Sequence, residues 1–419
     1  MHRIRGSSLL LLAALLGAPE FVDAQVLRLQ EAFALAERSS PRLQLSQADI
    51  EYARAGTLTA AMRPNPSFAY QAGRQFVRVP GNVTGFISTF SYVQPLELGN
   101  LRSTRAEVAK IQVENSELAR EATRLAVMSQ VRRSFYEVLR RRAQITIYDE
   151  NLSLVEELRK RIQVRVEVGE AGRLELIRAE AEVATARTQA NSAQLQLVNS
   201  FAQFRASVGA PLEENVRLEG DLDPAITLPT LPELERETLL RHPALALARS
   251  EIRRAQARVA SEIAQRRPQP NVRVDYELYP DVPTFRAGID IPLPILNRRE
   301  GPIAESNAAL RQSTSAEQVL RLEIMAALES AYRRYEVSTT QLTAFQQGLI
   351  REAEEGLRAA SVAYNLGERG ILEVLDAQRV LRTVRLDLLQ AQYDRQAALI
   401  DLDQLLSRDP AQPAPRKIP

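Results

Sequence analysis

The side chains able to do chemistry are few in kind. The chain has 419 residues, no cysteine and two histidines, His2 at the extreme N-terminus and His242 in an Arg241-His242-Pro243 turn. That supply leaves no thiolate, disulfide or lipid-bearing cysteine and no histidine-centred catalytic or metal site. Carboxylates and guanidiniums are plentiful, 52 Asp and Glu against 54 Lys and Arg. Most fall on helix faces at i,i+4 spacing, where they read as solvated pairs. A two-carboxylate glycosidase is conceivable only because acids are plentiful. No enzyme, cofactor or bound metal is expected. Two short segments collect charge beside glycine. Val168-Gly169-Glu170-Ala171-Gly172-Arg173-Leu174-Glu175 returns as Leu366-Gly367-Glu368-Arg369-Gly370-Ile371-Leu372-Glu373, followed by Val374-Leu375-Asp376-Ala377. Gly169, Gly172, Gly367 and Gly370 permit sharp turns. Glu373 and Asp376 fall at a helix start, where the dipole stabilises acids whatever their role.

The elements that position these segments are themselves duplicated, at a period of roughly 200 residues. Tyr136-Glu137-Val138 pairs with Tyr335-Glu336-Val337, Arg63-Pro64-Asn65-Pro66 with Arg267-Pro268-Gln269-Pro270, Pro95-Leu96 with Pro292-Leu293, and Pro41 with Pro243. In the first half a helix starts at Leu29, is interrupted at Ser40-Pro41 and resumes to Met62. Two strands follow at Ser67–Arg74 and Phe86–Gln94, joined by a loop through Pro80-Gly81-Asn82. A very long helix runs Leu101–Val168 and a shorter one Leu174–Val208. The second half repeats the order: a helix at Leu234–Arg266, strands at Asn271–Tyr279 and Thr284–Ile291, a long helix at Ile303–Leu366 and a short one at Leu372–Leu406. A small strand is expected at Val216–Leu218. The organisation read is a leader over 1–24, a first repeat over 25–210, a linker over 211–232, a second repeat over 233–407 and a disordered tail over 408–419. The leader has Arg3 and Arg5, a short apolar run and a small-residue cleavage site. Its run of about ten apolar residues falls well short of a bilayer span.

At 1.5 Å per residue each long helix is roughly 100 Å. Ile145, Tyr148, Leu152, Val155 and Ile162 form a stripe suited to coiled packing. The object expected is a tall helical wall with strands at one end and the glycine turns at the other. In the strands, Val272, Val274, Tyr276 and Leu278 alternate with Arg273, Asp275 and Glu277; Phe285, Ala287 and Ile289 alternate with Arg286, Gly288 and Asp290. That pattern suits an outer-membrane barrel with Arg273, Asp275, Glu277, Arg286 and Asp290 on the lumen side. An amphipathic sheet on a soluble core has the same alternation. The helices, too long for a compact domain, favour the barrel. Four strands cannot close one, and an open edge in lipid leaves backbone groups unsatisfied. Two copies would fill the interior with side chains; three would leave a lumen. A homotrimer is expected.

The chain resembles the TolC-type outer-membrane efflux protein family. The residues that carry the likeness are Leu27-Arg28-Leu29-Gln30-Glu31-Ala32-Phe33-Ala34-Leu35-Ala36 with Ser40-Pro41, then Gln94-Pro95-Leu96-Glu97-Leu98-Gly99-Asn100, and most specifically Tyr364-Asn365-Leu366-Gly367-Glu368-Arg369-Gly370 through Gln378. The resemblance implies a mainly α fold with a small β part. Long antiparallel hairpins form a periplasmic α-barrel, and four strands per chain contribute to a trimeric twelve-stranded barrel. It implies a passive exit duct for metal cations or drugs. Its partners would be a periplasmic adaptor, a proton-driven inner-membrane pump and outer-membrane lipid, with no nucleic acid. A short first strand loop brings the chain towards the heavy-metal (Czc-type) branch. The resemblance places Glu175, Tyr364 and Arg369 at a latch of the periplasmic entrance, with Arg369 and Glu175 as a charge-compatible pair. Glu373 and Asp376 fall where relatives carry acidic rings, and the glycine turns where adaptors dock.

Two other readings stay open. A periplasmic adaptor or coiled-coil scaffold also has a leader and a long hairpin, but one hairpin rather than two. The exit duct of a type I protein secretion system would share every feature above.

Overall fold

The computed structural model describes residues 26–76, 84–212, 216–222, 226 and 228–408. The leader, the Pro80-Gly81-Asn82 loop, part of the linker and the tail from residue 409 lie outside the described residues.

Strand β1 (Val26–Arg28) leads into helix α1 (Leu29–Ser39), and α2 (Pro41–Ala61) continues after one extended residue, Ser40. Proline at the first helical position explains the break, because it has no donor to give and disfavours helix in its predecessor. The second half makes the same joint between α5 (Leu231–Arg241) and α6 (Pro243–Ala264). His242 has φ −64° and ψ 118° there, against −63° and 118° at Ser40. The single helix expected over Leu234–Arg266 is therefore two, and the twin of Pro41 divides them.

Strands β2 (Ser67–Gln75) and β3 (Gly85–Pro95) precede helix α3 (Leu101–Glu167), whose 67 residues reach about 100 Å. Helix α4 (Arg173–Val208) folds back along its far half. The buried side of α4 reads Ala179, Val183, Ala186, Ala190, Ala193, Ser200 and Phe204. That heptad-like spacing winds two helices around each other, and the alanines let the axes approach closely. Helix α2 covers the near half of α3, where Arg105 donates to the carbonyls of Ala60 and Met62 at 2.8 Å each. A short strand β4 (Arg217–Glu219) pairs in parallel with β1. The largest core lies at this mid-height, where Phe33, Phe135, Phe204, Leu218 and Ile400 meet.

In the second half β5 (Asn271–Leu278) and β6 (Pro283–Asp290) precede α7 (Glu300–Ala344). The long helix expected over Ile303–Leu366 is interrupted by a kink within Phe345–Leu349, before α8 (Ile350–Asn365). Gly348 sits inside it at φ 133°, a conformation essentially confined to glycine. Helix α9 (Ile371–Leu405) returns beside α8, α7 and α3.

The four longer strands form one antiparallel sheet in the order β2-β3-β5-β6. Its register stacks Tyr70, Phe90, Tyr276 and Phe285 in one cross-strand row and Phe68, Tyr92, Val274 and Ala287 in the next. The intervening rows are polar: Gln71, Thr89, Glu277 and Thr284, then Ala69, Ser91, Asp275 and Arg286. Among the described residues, strands β2 and β6 each keep an unpaired edge. Among the described residues, no helix is long and apolar enough to cross a membrane.

Candidate gate and channel surfaces

At the end of the hairpins far from the sheet, two turns share one hydrogen-bond scheme. The amides of Glu170 and Ala171 donate to the Arg165 carbonyl at 2.8 and 3.2 Å, and those of Glu368 and Arg369 to the Ala363 carbonyl at 2.9 and 3.3 Å. Gly169 and Gly367 supply the left-handed residue in each, with φ 81° and 74°. Gly172 and Gly370 then start α4 and α9 in extended conformation.

The turns match in backbone and differ in side chains. Tyr364 takes the place that Val166 has in the first turn, and its hydroxyl donates to Glu175 Oε2 at 3.2 Å. This single bond joins α8 of the second hairpin to α4 of the first. The Arg165 guanidinium lies 4.9 Å from the centre of the Tyr364 ring and 3.9 Å from the Glu170 carboxylate. A cation over the ring face fixes the phenol in place. Ile162, Ala179, Ile371, Val374 and Leu375 bury the ring from below. Burial, and next the Glu175 carboxylate, push the phenol's pKa above its ordinary value, while Arg165 opposes them. The phenol keeps its proton and remains a donor.

The pair expected between Arg369 and Glu175 is not formed within the chain. Glu175 lies in the first turn of α4 and turns to α8, whereas Arg369 sits past Gly367, exposed, with no ion pair among the described residues. Glu373 and Asp376 are both exposed on one side of α9, opposite Ile371, Val374 and Leu375. One turn further along, Glu182 holds Arg379 at 3.1 Å and Arg382 at 3.6 Å, a second link from α4 to α9.

In the sheet, Arg273, Asp275, Glu277, Arg286 and Asp290 all occupy the polar face. Arg286 pairs with Glu277 at 3.1 Å, and Ser91 donates to Asp275 at 2.6 Å. The opposite face exposes Phe68, Tyr70, Phe86, Phe285 and Ile289. Exposed aromatic and branched residues across a whole sheet face need an apolar environment.

The outer membrane efflux protein profile matches residues 33–210 and again 234–408. The chain belongs to the outer membrane efflux protein family. Among curated relatives, this efflux protein is 26% identical to the cobalt-zinc-cadmium resistance protein CzcC of Cupriavidus metallidurans, over 91% of this chain and 90% of that one. Its fold is that of CusC, with TM-score 0.76 and 18% identity over 90% of this chain and 91% of that one. VceC of Vibrio cholerae is as close, with TM-score 0.75 and 17% identity over 90% and 95% of the two chains. Family and fold give the efflux protein its location in the outer membrane, with a long periplasmic helical part. They decide against an adaptor.

Sequence reasoning on the efflux protein missed Arg165, which has no counterpart in the second turn, where Ala363 stands in its place. It also missed Glu182, whose partners lie on another helix. Both were visible only as helix-face charges.

Proposed function

We propose that the protein is the exit duct of a tripartite efflux pump. Three copies close a twelve-stranded barrel, and their hairpins form a tunnel held shut at the turn end. The observation that carries this reading is the sheet itself: four strands with one apolar face and two unpaired edges. In lipid both edges must be satisfied by further copies. Arg273, Asp275, Glu277, Arg286 and Asp290 would then line the lumen.

The Tyr364–Glu175 bond acts as the latch between hairpins within each copy. Arg369, Glu373 and Asp376 stand clear of the hairpin's own packing and are free to meet neighbouring copies at the axis. Threefold repetition would set six carboxylates around one constriction and favour cations by local field. The glycine turns would present the end to a periplasmic adaptor, itself bound to an inner-membrane pump. Likeness to CzcC along nearly the whole chain supports divalent metal cations as the exported class.

The test is the mass of the detergent-solubilised protein together with conductance in planar bilayers. We expect a trimer whose low conductance is blocked by divalent cations, with the block relieved by Glu373→Gln and Asp376→Asn. A monomer, or block unaffected by both substitutions, would overturn the assembly or the ring respectively.

A further inference from the structure

We propose that the four connectors joining helices to strands form a basic and apolar collar that binds the headgroups of anionic phospholipids in the periplasmic leaflet. The proposal rests on the outer-membrane reading above and goes beyond it, since it assigns a ligand to residues outside both gate and lumen.

The connectors are residues 62–66, 96–100, 265–270 and 291–299, all at the helix end of the sheet. They carry Arg63, Arg266, Arg267, Arg298 and Arg299 against one acid, Glu97. That acid is already neutralised, since Arg105 approaches it at 2.6 Å. Arg299 is likewise taken, by Glu262 at 2.6 Å. Arg63, Arg266, Arg267 and Arg298, with Arg102 at the start of α3, are exposed and make no ion pair among the described residues. Exposed arginines without an ion pair among the described residues occur elsewhere on the helices too, as at Arg258 and Arg321; the connectors differ in collecting four of them at one level of the molecule, beside exposed apolar side chains. Glu300, in the first turn of α7, is stabilised by its helix N-terminus and stands beside only one of the four connectors.

The same connectors expose apolar side chains. Leu296 is fully exposed, and Leu293, Ile295 and Leu98 are at least half or nearly half so. Three of these four lie within six residues of Arg298. Apolar groups that enter the edge of the hydrocarbon, with guanidiniums that stay at headgroup level, are the two components of an interfacial anchor. The connectors follow directly on the strands at one end of the sheet, so lipid that covers its aromatic face has its headgroups at their level. Charge decides which lipid: unpaired cations in excess over the nearby carboxylates select a phosphodiester that carries net negative charge over a zwitterionic one.

The experiment uses the full-length protein reconstituted in phosphatidylcholine vesicles with a small fraction of spin-labelled phosphatidylglycerol or spin-labelled phosphatidylcholine. The motionally restricted fraction of each label gives the relative association constant. We expect phosphatidylglycerol to be preferred, the preference to fall with added salt, and a combined Arg63→Gln, Arg266→Gln, Arg267→Gln and Arg298→Gln variant to lose it, by up to about fivefold for each arginine in contact. The matched Arg→Lys variant should keep it, which separates charge from misfolding. Equal association of the two labels with the wild type overturns the proposal. So does a Gln variant that retains the preference but changes ion selectivity in neutral bilayers, because the arginines would then face the lumen. Failure of the channel reading would appear separately, as absence of conductance from the wild type.

Discussion

Tyr364 illustrates how much one side chain decides when the backbone is shared. The two turns superimpose in hydrogen bonding, and Glu175 and Glu373 occupy equivalent positions after them. Glu175 has a phenol to accept from because Tyr364 replaces Val166; Glu373 has no such donor and stays in solvent. Tyr364→Phe removes that bond and keeps the ring under Arg165. A hydrogen bond to a carboxylate contributes about 1.5–3 kcal/mol. The variant should therefore conduct more than the wild type at neutral pH and show a lower thermal midpoint, by less than truncation of the whole buried ring would cause. Unchanged single-channel conductance would sink the latch. The pH dependence has a definite sign. The folded-state pKa of the phenol is raised, so its contribution is fully present below the ordinary value near ~10 and is lost only as pH rises through the raised one. Conductance of the wild type should not change through loss of this proton between neutral pH and about 9.

At the scale of elements, the boundaries of α3, α4 and the four sheet strands are legible from the sequence because each is bounded by proline or glycine with a mechanical reason to stop it. The joint at His242 was marked by proline too, yet its helix read as continuous, because the apolar pattern runs through it. The kink at Phe345–Leu349 left no signal: Gly348 lies in a helical pattern and a lone glycine is tolerated there. The β1–β4 pair was legible on one side only, since three residues starting a helix show no alternation. The family resemblance groups Glu175, Tyr364 and Arg369 but does not fix which of them pair: which of two nearby cations or donors reaches Glu175 depends on helix rotation, and spacing alone does not set that. The kink at Phe345–Leu349 precedes α8, the helix that carries Tyr364. One residue gained or lost turns a helix by about 100°, enough to carry Tyr364 away from α4. Gly348→Ala puts a side chain at φ 133°, a strain of about 1–3 kcal/mol unless the segment returns to α register. We expect a lower thermal midpoint and a conductance raised in the manner of Tyr364→Phe. A variant with wild-type midpoint and conductance would mean that the segment has no part in aligning the gate.

At the scale of the whole molecule, the question is what keeps the two repeats in register over about 100 Å. The sheet joins them at one end through β3 and β5, and the Tyr364–Glu175 bond at the other. Between these ends the seam of α3 against α6 and α9 adds polar links on either side of the mid-height core. Asn115 donates to Glu251 at 2.7 Å, Arg132 to Asp403 at 2.6 Å, and Arg133 and Arg334 share Asp401. Arg385 spans Glu150 on α3 and Glu354 on α8 at 3.0 and 2.9 Å. A polar seam tolerates sliding less than an apolar one, because each misaligned step strands a charge. Arg132 is the most enclosed of these cations, its side chain 11% exposed against 24% for Asp403. Asp403→Ala leaves that guanidinium uncompensated next to the Phe135 core and should cost about 1.5–3 kcal/mol. Glu157→Ala removes an ion pair of the same type, 3.7 Å from Arg161 on one exposed helix face, and should change stability by less than about 0.5 kcal/mol. The comparison is made on the thermal midpoint of the assembled, detergent-solubilised protein. Replacing Arg132 by Met together with Asp403 by Leu should recover most of the loss, since an apolar pair of similar volume removes the stranded charge. If the double substitution remains as unstable as Asp403→Ala, the seam holds by side-chain geometry and not by charge, and the register of the repeats is set by the sheet and the mid-height core alone.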